Sequence, residues 1–108
     1  MSSPPLQSRL EKLEAMLVDE PHDPFLRYSR ALELDKIGRS DESVETLSAL
    51  STDDPPYVPA FFMAAQQLAA LGREEEARGF LTRGIEQAQR TGDDHAAGEM
   101  AEFLASLQ

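Results

Sequence analysis

Apolar residues recur along the chain at intervals of three and four, the spacing of helices that bury one side. Leu6, Leu10, Leu13 and Leu17 show it first. The later apolar stripes are Phe25-Leu26-Tyr28-Ala31-Leu34-Ile37, Val44-Leu47-Leu50, Phe61-Ala64-Ala65-Leu68-Leu71, Ala77-Phe80-Leu81-Gly84-Ile85-Ala88 and Ala97-Met100-Ala101-Leu104-Leu107. No segment alternates with a period of two, so no sheet is expected. The pattern predicts an all-α protein of about six helices.

Prolines, glycines and aspartates mark where these helices begin and end. Pro21 ends the first helix, and Asp23 followed by Pro24 is a typical start for the second. Gly38 and Gly72 stand where a helix commonly ends on a left-handed residue. The run Asp53–Pro56 is a strong break. The fifth helix is expected to start at the three glutamates from Glu74 and to run to about Arg90.

An internal repeat appears when the sequence is compared with itself at the offset that places Pro21 on Pro55. The other matched pairs are Ala31 with Ala65, Leu34 with Leu68, Gly38-Arg39 with Gly72-Arg73, Glu42 with Glu76, and Leu47 with Leu81. Each unit is a helix, a glycine turn and a second helix, and such a pair needs neighbours to bury its apolar face.

The predicted organisation is therefore two repeat units with a helix on either side. The units cover about residues 22–55 and 56–91, and the flanking helices about 5–20 and 94–107. Together they make the equivalent of three helical hairpins in a single domain, 5–108. Residues 1–4 are expected to be disordered.

The repeat resembles the tetratricopeptide repeat (TPR) family. The matching positions are the small eighth residue (Ala31, Ala65), the large eleventh (Leu34, Leu68), the turn glycine (Gly38, Gly72), the small residue of the second helix (Ser43, Ala77), the packing leucine (Leu47, Leu81) and the closing Pro55. The resemblance implies a helical-repeat solenoid of antiparallel helix pairs.

The chain departs from the family pattern at a few positions. Phe61 fits the fourth position, which is usually Trp or another large apolar residue, but Arg27 does not. Arg30 and Ala64 stand where Leu is usual, and Gln89 replaces the closing proline of the second unit. These differences bear on packing and leave the predicted architecture unchanged.

The resemblance also implies a function. Tetratricopeptide arrays usually bind a peptide or a partner helix in a concave groove lined by the first helix of each unit. The resemblance implies that the partner-binding residues of this groove are Phe25, Tyr28, Leu32, Phe62, Met63 and Gln66. Most are apolar, and exposed apolar patches often mark binding surfaces. The expected function is a non-catalytic protein–protein interaction module.

Two other interpretations of these residues stay open. The flanking helices could cover part of the apolar patch. Alternatively, the chain could be a structural module that self-associates through the groove or an end of the helix stack, so that a monomer or a weak homodimer is expected. Members of the family that grip chaperone C-termini use Lys and Asn at groove positions, whereas this chain has Tyr28, Leu32, Phe62 and Gln66. A hydrophobic or amphipathic partner segment suits it better.

Charge and composition further restrict the classes of partner that the protein is expected to bind. Twenty acidic and ten basic residues give a net charge of −10, which disfavours nucleic acids and anionic membranes. The chain has no cysteine, which excludes disulfides and thiolate chemistry. Only two of the basic residues are lysines. Either a high-salt cytoplasm or a preference for arginine codons would explain that balance.

The remaining polar motifs have simpler explanations than catalysis. Asp93, Asp94 and His95 are consecutive and could not converge on one metal ion without a further ligand, so helix capping is preferred. The glutamates Glu74–Glu76 suit an acidic first helical turn. We therefore predict no enzyme activity, no cofactor and no metal. The sequence shows no targeting signal and no apolar run long enough to span a membrane, so a cytoplasmic location is expected.

Overall fold

Six helices account for most of the chain in the structure, a computed structural model that describes residues 6–107. Their bounds are α1 Leu6–Asp19, α2 Pro24–Lys36, α3 Ser40–Ser51, α4 Val58–Ala70, α5 Glu74–Arg90 and α6 Asp94–Ser106. No strand occurs in this range. The prediction of an all-α protein with six helices is confirmed, whereas the predicted disorder of residues 1–4 lies outside the described residues.

The chain divides into two compact units, Met1–Leu50 and Ser51–Gln108. In the first, α1 packs against α2, and in the second, α5 packs against both α4 and α6. Each unit has its own core of fully buried leucines, among them Leu34 and Leu47 in the first and Leu68 and Leu81 in the second.

Helix starts follow the signals in the sequence. The Asp23 carboxylate accepts a hydrogen bond of 2.9 Å from the Leu26 amide at the start of α2, and the Asp93 carboxylate accepts one of 3.1 Å from the Ala96 amide at the start of α6. Each satisfies an amide that has no partner within the helix. Pro59 lies in the first turn of α4, where its missing N–H costs no hydrogen bond.

The two glycine turns stand at equivalent positions of the repeat and have the same geometry. Gly38 and Gly72 adopt left-handed φ angles of 86° and 78°, which a residue with a Cβ adopts only with strain. The next amide then folds back onto the helix. The Arg39 N–H donates to the Leu34 carbonyl at 2.9 Å, and the Arg73 N–H donates to the Leu68 carbonyl at 2.8 Å.

Unit 1 is joined by polar contacts as well as by its leucines. The Ser43 hydroxyl, fully buried, donates a hydrogen bond of 2.7 Å to the Ala31 carbonyl, so α3 approaches α2 at two small residues. Arg30 on α2 contacts Glu14 on α1 at 3.1 Å. These contacts fix the side of α2 that faces its neighbours.

Unit 2 contains one unusually close approach between helices. A Cβ at Gly84 of α5 would lie 2.6 Å from both the Met100 sulfur of α6 and the Phe61 Cβ of α4. Only a residue without a side chain therefore allows α5 to contact both helices at this depth. One predicted core position of α4 is wrong: Leu71 is 45% exposed, because α4 ends at Ala70 and Leu71 lies in the turn.

Candidate functional site

The first half of the predicted binding surface lies on α2 in unit 1. Phe25 is 63% exposed, and Tyr28 and Leu32 are half-buried. Spacings of three and four place these residues on neighbouring parts of one helix face. Leu26, Ala31 and Leu34 form the buried side of the same helix. The face therefore presents apolar and aromatic surface to solvent beside the core.

The second half lies on α4 in unit 2, where Phe62 and Met63 are half-buried and Gln66 is exposed. The Phe62 ring packs against the Phe103 ring of α6, with centroids 5.8 Å apart and planes tilted by 59°. Within unit 2 the last helix therefore covers part of this face. The sequence alone does not indicate that Phe62 and Phe103 pack together, because the two residues lie on different helices.

A cleft of about 460 Å³ opens in unit 1 between α1, α2 and α3. Its lining includes Leu17, Arg27, Arg30 and Glu45. Arg27 and Arg30 stand at the two positions where the first unit departs from the tetratricopeptide pattern. Since Arg30 contacts Glu14 at 3.1 Å and Glu45 also lines the cleft, the charges there are largely balanced. Sequence reasoning missed this cleft, although the two departures pointed to it.

A smaller cleft of about 230 Å³ lies in unit 2. Its lining differs from that of the unit 1 cleft at the position of Arg27. Phe61, which takes the place of Arg27 in the second unit, lines it and is only 3% exposed. Arg83 lines the same cleft, and its guanidinium lies 4.7 Å from the centroid of the Phe80 ring, within cation–π range. Where unit 2 buries an aromatic ring, unit 1 leaves a wider cleft edged by charge.

Carboxylates occupy the solvent side of α6 in unit 2. Asp94, Glu99 and Glu102 share a shallow surface depression with His95, whose Nε2 lies 3.3 Å from a Glu99 oxygen. All four side chains are exposed. Among residues 6–107, no three His, Cys, Asp or Glu side chains are arranged to hold a metal ion.

Two matched ionic pairs lie at the starts of α3 and α5. Arg39 donates to both carboxylate oxygens of Glu42 at 2.7 and 2.8 Å, and Arg73 does the same to Glu76. These hydrogen bonds lower the pKa of the Glu42 and Glu76 carboxyls and raise the pKa of Arg39. All four side chains are exposed, and each pair joins the residue before a helix to the first turn of that helix.

Comparisons with protein-family models, with curated proteins and with solved structures give no significant match. No helix within residues 6–107 has the length and apolar character needed to cross a membrane. The structure divides the six predicted binding residues between two helices, three on each, and leaves both faces at least partly exposed. Their role in partner binding stays a prediction.

Proposed function

We propose that this protein is a non-catalytic interaction module that binds a peptide or helix of a partner protein. The observation that supports this most directly is Phe25, a large aromatic side chain that is 63% exposed on the same helix face as Tyr28 and Leu32. Aromatic residues contribute much of the energy of protein interfaces. Contact between an exposed aromatic side chain and water is unfavourable in free energy, and a partner that covers the side chain removes this cost.

The proposal includes the repeat architecture, a tetratricopeptide-like solenoid of antiparallel helix pairs. It is supported by the recurrence of local structure at equivalent repeat positions: two left-handed glycines, two bidentate Arg–Glu pairs and two fully buried Ala–Leu pairs. In such an array the first helix of each unit carries the binding residues, so the exposed faces of α2 and of α4 are the two proposed binding surfaces.

The composition of these faces defines the proposed ligand. Phe25, Leu32 and Met63 offer apolar contacts, Tyr28 and Gln66 add polar groups, and no cation is among the predicted residues. A hydrophobic or amphipathic segment suits this surface better than a free carboxylate terminus does. A cytoplasmic location belongs to the same proposal.

A displayed library of random peptides would test the proposal with defined ligands. Peptides selected on the wild-type protein would be synthesised with a fluorophore, and their affinity measured by anisotropy. The double variant Phe25→Ala with Met63→Ala removes one apolar side chain from each face. We expect its affinity to fall at least tenfold, about 1.4 kcal/mol, because interface aromatics often contribute that much.

The matched control is Val18→Ala with Leu71→Ala. These side chains are 79% and 45% exposed, one in each unit, and neither is a predicted groove residue. The control should bind as the wild type does, and both variants should keep their helical circular dichroism. Equal affinity in all three proteins would place the binding surface elsewhere, and failure to select any peptide would reject the proposed ligand class.

A further inference from the structure

The clefts of unit 1 and unit 2 lie at equivalent positions of the repeat. Three pairs of lining residues are separated by the repeat offset: Leu17 and Ser51, Arg27 and Phe61, and Ala49 and Arg83. The cleft of unit 1, at about 460 Å³, has twice the volume of the cleft of unit 2, at about 230 Å³. Unit 2 therefore shows how side chains can fill the space that is open in unit 1.

Aromatic rings occupy the matching positions in unit 2. Phe61 is only 3% exposed and Phe80 only 8%, and the Arg83 guanidinium lies 4.7 Å from the centroid of the Phe80 ring. At the positions of the two rings unit 1 has Arg27 and Thr46, which are half-buried and line its cleft. Because folded proteins leave few unfilled spaces between packed elements, the two missing rings account for the larger cleft of unit 1.

We propose that the cleft of unit 1 binds an aromatic side chain of a partner protein, which takes the place of the rings that unit 2 supplies itself. Its volume lies within the range of about 300–1,000 Å³ that is common for binding pockets. Leu17, Pro21 and Ala49 offer apolar contacts to a ring. Pro21 and Ala49 are exposed, so the cleft is open to solvent and the residues that flank the ring in a polypeptide can enter and leave it.

The two arginines of the cleft favour an aromatic over an aliphatic ligand. A guanidinium group stacks on the face of an aromatic ring, and Arg83 contacts Phe80 within this range in unit 2. Arg30 contacts Glu14 through Nε and Nη2, both at 3.1 Å, but hydrogen bonds lie in the plane of the group and leave its faces able to stack. Because Glu14 and Glu45 balance much of the positive charge at the cleft, a ligand recognised by negative charge alone suits it less well.

This cleft is separate from the binding surface that we propose on α2. Arg27 follows Phe25 by two positions, which places the two side chains on opposite sides of the helix. The inference therefore does not rest on peptide binding at the exposed faces of α2 and α4. The groove variant Phe25→Ala with Met63→Ala should bind an aromatic side chain in the cleft as the wild type does.

Blocked pentapeptides with one variable residue between glycines provide defined ligands. The variable residue is phenylalanine, cyclohexylalanine or glutamate, and each peptide is titrated to about 10 mM into isotope-labelled protein, which covers weak affinities. We expect the phenylalanine peptide to bind with a Kd of about 1 mM and its ring current to shift the Ala49 methyl resonance, but not that of Ala105 on α6. Cyclohexylalanine has a ring without π electrons and should bind about threefold more weakly or worse, and the glutamate peptide should not bind.

Two variants fill the cleft from within by copying unit 2. Arg27→Phe and Thr46→Phe each introduce the residue that unit 2 has at the matching position. Each should weaken binding of the phenylalanine peptide by about tenfold or more while keeping the helical circular dichroism. The matched control is Met16→Phe, which adds a ring at a position of α1 that is 52% exposed and does not line the cleft, and it should bind as the wild type does.

Several results would overturn the proposal. They are a wild type whose Ala49 resonance does not move, equal affinity for the phenylalanine and cyclohexylalanine peptides, and unchanged affinity in folded Arg27→Phe or Thr46→Phe. Binding of the glutamate peptide alone would show an anion site instead. Loss of binding in Phe25→Ala with Met63→Ala would move the aromatic ligand to the groove, and would support the proposed function while rejecting this site. If neither filling variant folds, the wild-type titrations decide alone.

Discussion

Side-chain volume at two glycines of unit 2 has opposite consequences. A Cβ at Gly84 would lie 2.6 Å from two neighbouring side chains, whereas one at Gly98 would meet nothing within 4 Å. We expect Gly84→Ala to destabilise the protein by about 1–3 kcal/mol through overpacking. Gly98→Ala should stabilise it by roughly 0.5–1 kcal/mol, because alanine is the better helix former.

Urea denaturation followed by circular dichroism would measure both changes. The pair forms its own control, since the same methyl group is added to two helical glycines of one unit. If Gly84→Ala were as stable as the wild type, α5 would not approach α4 and α6 as closely as described.

Single residues also show what could be read from the sequence. The caps Asp23 and Asp93 and the turn glycines were predictable, because their effect on the backbone is local. The exposure of Leu71 was not, since periodicity alone cannot place the last residue of a helix. Pairing Phe62 with Phe103 needed the packing of α4, α5 and α6, which no local pattern contains.

At the scale of the helix, α3 and α5 begin with the same bidentate Arg–Glu pair. Because the pKa of Glu42 and of Glu76 is lowered in the folded protein, the unfolded chain binds protons more readily at these sites. The pairs therefore stabilise the fold above the unfolded pKa of about 4.3, and this contribution is lost as pH falls through the lowered pKa. The effect is modest because both pairs are exposed.

The double variant Glu42→Gln with Glu76→Gln should thus melt below the wild type at pH 7. As the pH is lowered to about 3, the gap should narrow because the wild type also loses its charged pairs. Melting followed by circular dichroism at constant ionic strength would measure it. Glu11→Gln with Glu102→Gln, which removes two exposed carboxylates elsewhere, is the charge-matched control. A gap that is constant with pH would contradict the assignment.

At the scale of the whole molecule, the excess of ten negative charges opposes compaction. Added salt screens this repulsion more strongly as its concentration rises, because the Debye length falls from about 10 Å at 0.1 M to about 3 Å at 1 M. We expect the melting temperature to rise between about 10 mM and 1 M sodium chloride. A flat or falling curve would mean that screening of the surface ion pairs outweighs the relief of repulsion, and would leave codon preference as the better account of the scarce lysines.

The secondary structure was the most predictable feature of this molecule, because the periodicity and the capping residues of each helix are local and indicate where the helix lies. The candidate surface was less so. The resemblance to the tetratricopeptide family predicts that Phe25 and Gln66 bind a partner, but the exposure of these side chains depends on which neighbouring helices cover them. The repeat pattern does not predict the unit 1 cleft, because Arg27 and Arg30 are only departures from that pattern, whereas charged side chains at apolar positions can open space between helices.

One side chain in unit 2 connects the ends of two helices. The Arg78 guanidinium of α5 donates to the Leu107 carbonyl just beyond α6 and also contacts Glu74 and Glu75 at the start of its own helix. Final helical turns ordinarily fray, with opening free energies near zero. Here the last turn of α6 opens only by giving up a charged hydrogen bond to α5, so amide hydrogens in that turn should exchange with solvent more slowly than those of an ordinary helix end.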